Sequence, residues 1–285
     1  MRDKKVSFLI NFQIVFILTL SSILFAESPK TSTAEIQRPA TTNKPQPKNN
    51  EKWPSFSSMM QSIMRTGINK AEGKTKKTAK SIERIGERIV YDIRLGRLRV
   101  GQSVFNFVSK SYVNGVLLNY MFFETHVPQF TDTEAIYSDP DTFLPVRIER
   151  KISKLLAREN IVEEYNQKAF TLTITRKKTS GDKQEILQKS RSIQNAILLP
   201  HQIRTVPDLH VGQTFAYGLP NYDLLVKLVS IEDVETPAGT FKAYHFESDP
   251  KKIEFWIKAD DSRIPVKIQG SGAFGYSMVM KEYHP

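Results

Sequence analysis

The residue groups in this chain that could carry chemistry are few, and each is read together with its surroundings. Gly270-Ser-Gly-Ala-Phe-Gly275 has the G-x-G-x-x-G spacing by which glycines bring a helix N-terminus up to a pyrophosphate. The ten residues after it cannot supply the helix and second parallel strand that such a site needs, so no dinucleotide cofactor is expected. Gly73-Lys-Thr75 resembles the end of a phosphate-binding loop, but Ile68 stands where the first glycine belongs and Gly67 is one residue too far away. The histidines His126, His201, His210, His245 and His284 show no i, i+3 or i, i+4 pairing. They read as isolated polar or capping residues, with assembly from distant strands as the one metal arrangement left open. Adjacent carboxylates occur at Glu163-Glu164 and Asp260-Asp261. Neighbours on a strand point to opposite faces, and the aspartates fall in a turn pattern, so neither pair reads as an acid–base couple. There is no G-x-S-x-G elbow, and with no cysteine there is no disulfide, thiolate ligand or cysteine nucleophile. The expectation is therefore no catalytic, cofactor-binding or metal residues, and no enzyme.

What must position any site is organised in three segments. Arg2, Lys4 and Lys5 precede a largely apolar run over 6–26, which is the basic n-region and h-region of an export signal. Ala26 offers a cleavage point before Glu27, although Leu24 is bulkier than the small residue usual two positions earlier; the run is also long enough for an uncleaved anchor. No cysteine follows it, which excludes a lipid-anchored lipoprotein. Export to the periplasm or cell envelope is expected. Residues 27–81 form a basic linker. Its first part is rich in Pro, Thr, Lys, Asn and Gln, with too little apolar material to offset the entropy of ordering. Phe56, Met59, Met60, Ile63, Met64 and Ile68 then recur at helical spacing, which predicts a short amphipathic helix before a lysine-rich stretch. The formal charge of +11 is concentrated here: about +8 lies in 29–81 and only about +2 in 82–285. A nucleic-acid partner would call for a basic stripe on folded elements, so none is expected.

From residue 82 onward the texture is that of strands. Arg88-Ile-Val-Tyr-Asp-Ile-Arg-Leu95 and Val104-Phe-Asn-Phe-Val108 nearly alternate, and similar runs recur at 116–125, 144–152, 170–175, 224–231, 241–246, 253–257, 264–268 and 276–280. Asp139-Pro-Asp141, Ser180-Gly-Asp182, Thr236-Pro-Ala-Gly239 and Asp260-Asp-Ser262 place turn formers between runs. One stretch, 193–206, does not read as strand and suggests a short helix or a buried crossing loop. The predicted fold is mainly all-β, an antiparallel barrel-like or half-barrel domain with a short helical segment. Phe105, Phe107, Tyr120, Phe122, Phe123, Tyr244, Phe246, Phe255 and Trp256 sit in the strand runs. Such side chains fill a core, or line an interior cavity able to hold one apolar ligand.

Several of these segments resemble a family of bacterial exported proteins, domain of unknown function 3108. The resemblance spans about 86–283. It opens with Gly86-Glu-Arg-Ile-Val-Tyr91 and the paired Gly96 and Gly101, and continues through Asp139-Pro-Asp-Thr-Phe-Leu-Pro-Val-Arg147. Its most specific parts are Val234-Glu-Thr-Pro-Ala-Gly-Thr-Phe241 and Phe255-Trp-Ile-Lys-Ala-Asp-Asp-Ser-Arg-Ile-Pro-Val266. In the middle segment, Gln194-Asn-Ala-Ile-Leu-Leu-Pro-His-Gln-Ile-Arg204 keeps the family's arginine but has Asn195 where an acid is usual. The resemblance implies an exported β domain and names no activity.

Together these features suggest a non-enzymatic envelope module that binds a lipid or other amphiphilic ligand, by analogy with periplasmic lipoprotein carriers at the level of fold class alone. A structural or interaction protein with a filled core is the first rival, and an unrecognised hydrolase the second. The basic linker suggests a further partner, an anionic membrane or glycan surface. If so, neutralising Lys74, Lys76, Lys77 and Lys80 should weaken association with anionic vesicles by up to about 1 kcal/mol per charge at low salt, and added salt should mimic the mutations. Equal vesicle binding by a tail-deleted chain would make the segment a passive tether.

Overall fold

The structure, a computed structural model, describes residues 84–271 and 276–285. The expected export segment and basic linker, 1–81, and residues 272–275 of the glycine motif lie outside the described residues. Among the described residues no helix is long and apolar enough to cross a membrane.

Fourteen strands and one short helix make up the described chain. The first meander is β1 (Arg88–Leu95), β2 (Leu98–Val113), β3 (Val116–Val127), β4 (Phe130–Ser138), β5 (Pro145–Lys154), β6 (Ala157–Asn166), β7 (Thr171–Lys177) and β8 (Lys183–Gln188). After helix α1 (Leu199–Ile203) the second follows: β9 (Thr214–Gly218), β10 (Asp223–Thr236), β11 (Gly239–Asp249), β12 (Ile253–Lys258), β13 (Pro265–Gly270) and β14 (Tyr276–His284). They form one antiparallel sheet in the order β8-β7-β6-β5-β4-β3-β2-β1-β14-β13-β12-β11-β10-β9. First and last strands thus meet in its middle, Arg88 opposite His284 and Leu95 opposite Tyr276. The sheet is open, with β8 and β9 at its edges. This is the antiparallel, barrel-like domain with a short helical segment that the strand spacing predicted.

Hairpins form where turn chemistry placed them. Asp139 Oδ1 accepts from the backbone N–H groups of Asp141 (3.1 Å) and Thr142 (2.8 Å), which closes β4 onto β5. Asp260 does the same for Ser262 and Arg263 between β12 and β13. The Pro237-Ala238 turn joins Thr236 to its register partner Gly239, whose φ of +126° is one that L side chains rarely adopt. Register shifts in β1, β2, β10 and β12 add the twist that curls the sheet.

Curling gives the sheet an inner face, and period-2 alternation decides what occupies it. Along β4, Phe130, Asp132, Glu134, Ile136 and Ser138 are buried while their neighbours are partly exposed. The crossing segment between β8 and β9 covers this face. Its helix α1 starts at Leu199-Pro200, where proline costs no hydrogen bond, and all five of its residues are buried. Leu199 and Ile203 pack with Tyr217, Leu224, Val226, Phe246, Phe255 and Ile257. The aromatic residues divide accordingly: Phe105, Phe107, Phe123, Phe246 and Phe255 go inward, whereas Tyr120 stacks on Tyr137 at 5.1 Å.

Side-chain amides fasten the start of the crossing segment where ladder pairing stops. Gln167 at the end of β6 both accepts from the Ile193 N–H (3.0 Å) and donates to its carbonyl (2.8 Å), mimicking a strand. Next along the chain, the Gln194 N–H donates to Gly218 O of β9 at 2.7 Å while its side chain accepts from the Gly218 N–H at 2.7 Å. The start of the crossing segment is thereby fastened to the β6–β7 turn on one side and to the edge strand β9 on the other.

Gly239→Ala should lower stability by about 1 kcal/mol or more, because the substituted residue must hold a positive φ. Chemical denaturation checks this, and an unchanged midpoint would remove the turn argument.

Candidate functional site

Beneath the crossing segment lies a cavity of about 120 Å³. Its wall comes from seven neighbouring strands, β4 through β1 and on to β12, and its roof from Ala196, Ile197 and His201. Most of the lining is apolar or aromatic, including Ile93, Phe105, Phe123, Ile268 and Met278. One end is polar and is made by Ser103, Thr125, Asp132 and Glu134 on adjacent strands. These inward positions follow from strand periodicity: Ser103 and Phe105 alternate on β2, Phe123 and Thr125 on β3, Asp132 and Glu134 on β4.

The roof end is held by a buried ion pair. Arg204 donates from both terminal nitrogens to the two carboxylate oxygens of Glu87, each at 2.6 Å, and from Nη2 to the Ser262 carbonyl at 3.0 Å. Both side chains are almost completely buried, so the fork geometry and the extra acceptor offset the loss of hydration. Arg263, from the same hairpin as Ser262, donates to the Val206 carbonyl just after α1. The Asp260–Arg263 turn is therefore a hairpin, as predicted, and also a clamp on the crossing segment. His201, one turn before Arg204, stacks on Phe105 with ring centroids 3.9 Å apart. Burial, with Arg204 and Arg84 adding to it, holds its imidazole well below the ordinary histidine range, so His201 is neutral.

The polar end is a second buried charge cluster. Arg150 on β5 donates to both oxygens of Asp132 and lies 3.3 Å from Glu134. Glu163 on β6 accepts from Tyr165 Oη at 2.5 Å. Asp132 and Glu134 thus share one guanidinium, and Glu163 lies further off, within reach of the fields of Arg150 and Arg176. Burial pushes Glu134 up to about 8 and raises Glu163 as well, against the pull of Arg150. For Arg150, burial works against the charge, but Glu134 and Asp132 outweigh it and raise its pKa. At neutral pH Glu134 is mainly a protonated carboxyl facing the cavity, able to donate or accept a hydrogen bond.

The family described as "Protein of unknown function (DUF3108)" matches residues 90–281. The chain belongs to it. Among solved structures, a β-barrel-like protein of the domain of unknown function DUF1849 from Brucella abortus is similar at 10% identity. It covers 71% of this chain and 98% of its own, with a TM-score of 0.45. A protein named as exported, with a YmcC-like fold, from Bacteroides fragilis matches at 10% identity over 70% of this chain and 96% of its own, TM-score 0.25. A protein named as a lipoprotein from Parabacteroides distasonis matches at 10% identity over 70% and 95%, also at 0.25. No curated protein matches the chain.

Within this DUF3108 domain the arginine of the middle segment, Arg204, takes its carboxylate partner from Glu87, 117 residues away. Asn195 caps the turn into the roof, its Oδ1 accepting from the Ile197 N–H at 2.8 Å. Glu163 and Glu164 part as expected: Glu163 goes inside, and Glu164 pairs with Arg147 at 2.7 Å on the outside. The histidines stay apart from one another. His126 lies 2.7 Å from Glu124, His210 Nδ1 is 3.2 Å from the Asp208 carbonyl, and His284 ends β14 beside Glu282. His245 sits on the outer face of β11, stacked on Trp256 at 4.2 Å. Asp132, Glu134 and Arg150 escaped the sequence reading. Their signal was available as i, i+2 charged pairs inside runs of strand length, such as Asp132-x-Glu134.

Because Glu134 is pushed up from 4.5 to about 8, the folded chain keeps a proton that the unfolded chain releases between those values. Stability should therefore fall as pH rises through that window, by up to about 1.4 kcal/mol per pH unit. Glu134→Gln should flatten this slope in urea midpoints taken from about pH 5 to 8. An identical slope in the variant would mean that Glu134 ionises freely in the folded protein.

Proposed function

We propose that this domain is a non-enzymatic binding module of the cell envelope, and that its cavity takes part of a hydrophobic or amphiphilic envelope component with a neutral polar group. The observation that carries this reading is the lining: an apolar aromatic wall ending in Ser103, Thr125, Asp132 and the Glu134 carboxyl, whose neutral form burial favours. Such a site matches a molecule with an apolar body and a hydroxyl, carbonyl or amide head. It disfavours an anionic head, which would lose its hydration in a pocket whose nearby cation, Arg150, is already taken up by Asp132. A cavity of about 120 Å³ admits a ring or a short length of chain, so a larger ligand would extend past the roof at Ala196 and Ile197. Placement in the envelope is supported by the basic n-region and apolar run at the start of the sequence.

The displaced carboxyl also suits the hydrolase rival, since convergent polar groups with shifted pKa mark many active sites. Against it stands the way the polar groups are used up. Ser103 Oγ and Thr125 Oγ1 bond each other at 2.8 Å, His201 Nδ1 faces Arg204 at 3.3 Å, and Asp132 is held by Arg150. No serine or threonine hydroxyl of the lining meets a free base.

Extraction of the purified chain followed by mass spectrometry should recover an amphiphile of one class, and an acyl-chain fluorophore should compete with it. Ala196→Trp, which fills the cavity from the roof, should weaken probe binding about 10-fold or more while leaving the fold intact. A folded protein that yields no amphiphile and binds no probe would favour the filled-core interaction protein. Ester turnover abolished by Glu134→Gln would favour the hydrolase.

A further inference from the structure

The outer face of the second meander carries a cluster that the cavity does not involve. On β11, His245 and Glu247 are two residues apart and so share one face, while β12 presents Glu254 and Trp256 on the same side. The register sets His245 opposite Trp256 and Glu247 opposite Glu254. Two carboxylates placed directly across a ladder repel each other; Lys251 lies 2.8 Å from Glu254 Oε1, Lys267 acts on the same carboxylate from β13, and Lys227 on β10 is the register partner of Glu247. The other oxygen, Glu254 Oε2, faces His245 Nε2 at 3.6 Å, and Glu247 Oε1 faces the same nitrogen at 3.8 Å. These separations are too long for hydrogen bonds. Nε2 is buried and has no hydrogen-bond partner among the described residues, although the imidazole is held firmly, its side chain only 12% exposed and stacked on Trp256.

A buried, unpartnered ring nitrogen aimed between two opposed carboxylates has the donor set of a cation site. One atom from each of His245, Glu247 and Glu254 lies within 4.8 Å of the others. A first-row divalent cation about 2.0 to 2.2 Å from each donor would draw them together by a small rotation of Glu247, the most exposed of the three. The far side of the imidazole is prepared too. Nδ1 lies 3.5 Å from Glu232 Oε1, which also accepts from Trp256 Nε1 at 2.7 Å. That places a carboxylate oriented by Trp256 on the far side of the histidine, close enough to accept from Nδ1 if the ring shifted slightly toward it on metal binding. We propose that His245 Nε2, Glu247 and Glu254 form a site for a divalent first-row transition metal of the zinc type, open to water at its remaining positions. One nitrogen and two carboxylates favour such an ion over magnesium or calcium, which take oxygen ligands.

A spacing search for i, i+3 and i, i+4 histidine pairs does not detect this group, because its period is that of a strand and its third member comes from the neighbouring strand.

The test uses the full-length, untagged chain stripped with a chelator, its Trp53→Phe form as the single-tryptophan reporter of Trp256, and the variants His245→Gln and Glu254→Gln. Equilibrium dialysis should find about one zinc per chain with micromolar or tighter affinity, weakened about 10-fold or more in either variant. Copper(II) should quench Trp256 fluorescence in the reporter and not in its His245→Gln form, and millimolar magnesium should not compete. Zinc should also raise the melting temperature of the parent chain but not of Glu254→Gln, which keeps the side-chain shape. Absence of zinc binding at tens of micromolar, or equal binding by both folded variants, would overturn the proposal and leave neutralisation of the two carboxylates to the neighbouring lysines.

Discussion

Arg204 has to remain charged where water does not reach it, and much of the architecture follows from how that is done. A sheet that curls without closing has a long inner face, and the chain covers it with one crossing segment rather than a second sheet. Glu87, just before β1, and Ser262, in the β12–β13 hairpin, converge on the guanidinium at the end of that segment. The pair therefore ties the centre of the sheet, the second meander and the plug in a single place. Removing one partner would leave the other buried without compensation, a loss of about 3 to 5 kcal/mol in comparable pairs. The glutamine amides at the opposite end of the crossing segment fasten its start in a milder way, by imitating backbone.

The second buried cluster has a different electrostatic character. Around Arg204 cations outnumber the one carboxylate of Glu87, since Arg84 and Arg263 stand close by, whereas Arg150 faces Asp132, Glu134 and, further off, Glu163. Excess negative charge in a dry place is relieved by protonation, which is why the carboxyl pKa values rise here. The cavity lies between the two systems, with the neutral His201 imidazole at one side and the mainly protonated Glu134 carboxyl at the other. Although charged residues surround it, its lining at neutral pH is close to uncharged apart from Asp132, which Arg150 neutralises.

How much of this the sequence displayed depended on what each strand puts inside. Strands with apolar inner positions were legible: 88–95 matches β1, and the runs at 116–125 and 253–257 fall within β3 and β12. β4 and β6 were not, because Asp132, Glu134 and Glu163 occupy inner positions and break the apolar alternation that marks a strand. β8 and β9 were missed for simpler reasons: β8 is an edge strand exposed along most of its length, and β9, though Phe215 and Tyr217 pack inward, has only five residues. The crossing segment was legible as an interruption, and Pro200 fits the first turn of its helix. The site itself was hidden, since pairs such as Glu87 with Arg204 and Asp132 with Arg150 are made by topology over separations no local pattern records.

Buried ion pairs of this kind are seldom the cheapest way to hold two elements together, because well-packed apolar residues of similar volume are often as stable or more so. What an apolar plug lacks is a fixed address. Leu199 and Ile203 would tolerate small shifts along a trough lined by Leu224, Val226 and Phe255, since dispersion is indifferent to register. A forked guanidinium between two carboxylate oxygens and one carbonyl is not indifferent, and a shift of about an ångström forfeits its hydrogen bonds. The helix has only five residues and cannot set its own position. The ion pair sets it, and with it the height of the roof over the cavity. Roof height in this domain is thus set by an electrostatic contact outside the cavity wall, and substitution of Glu87 would change the cavity's shape without touching its lining.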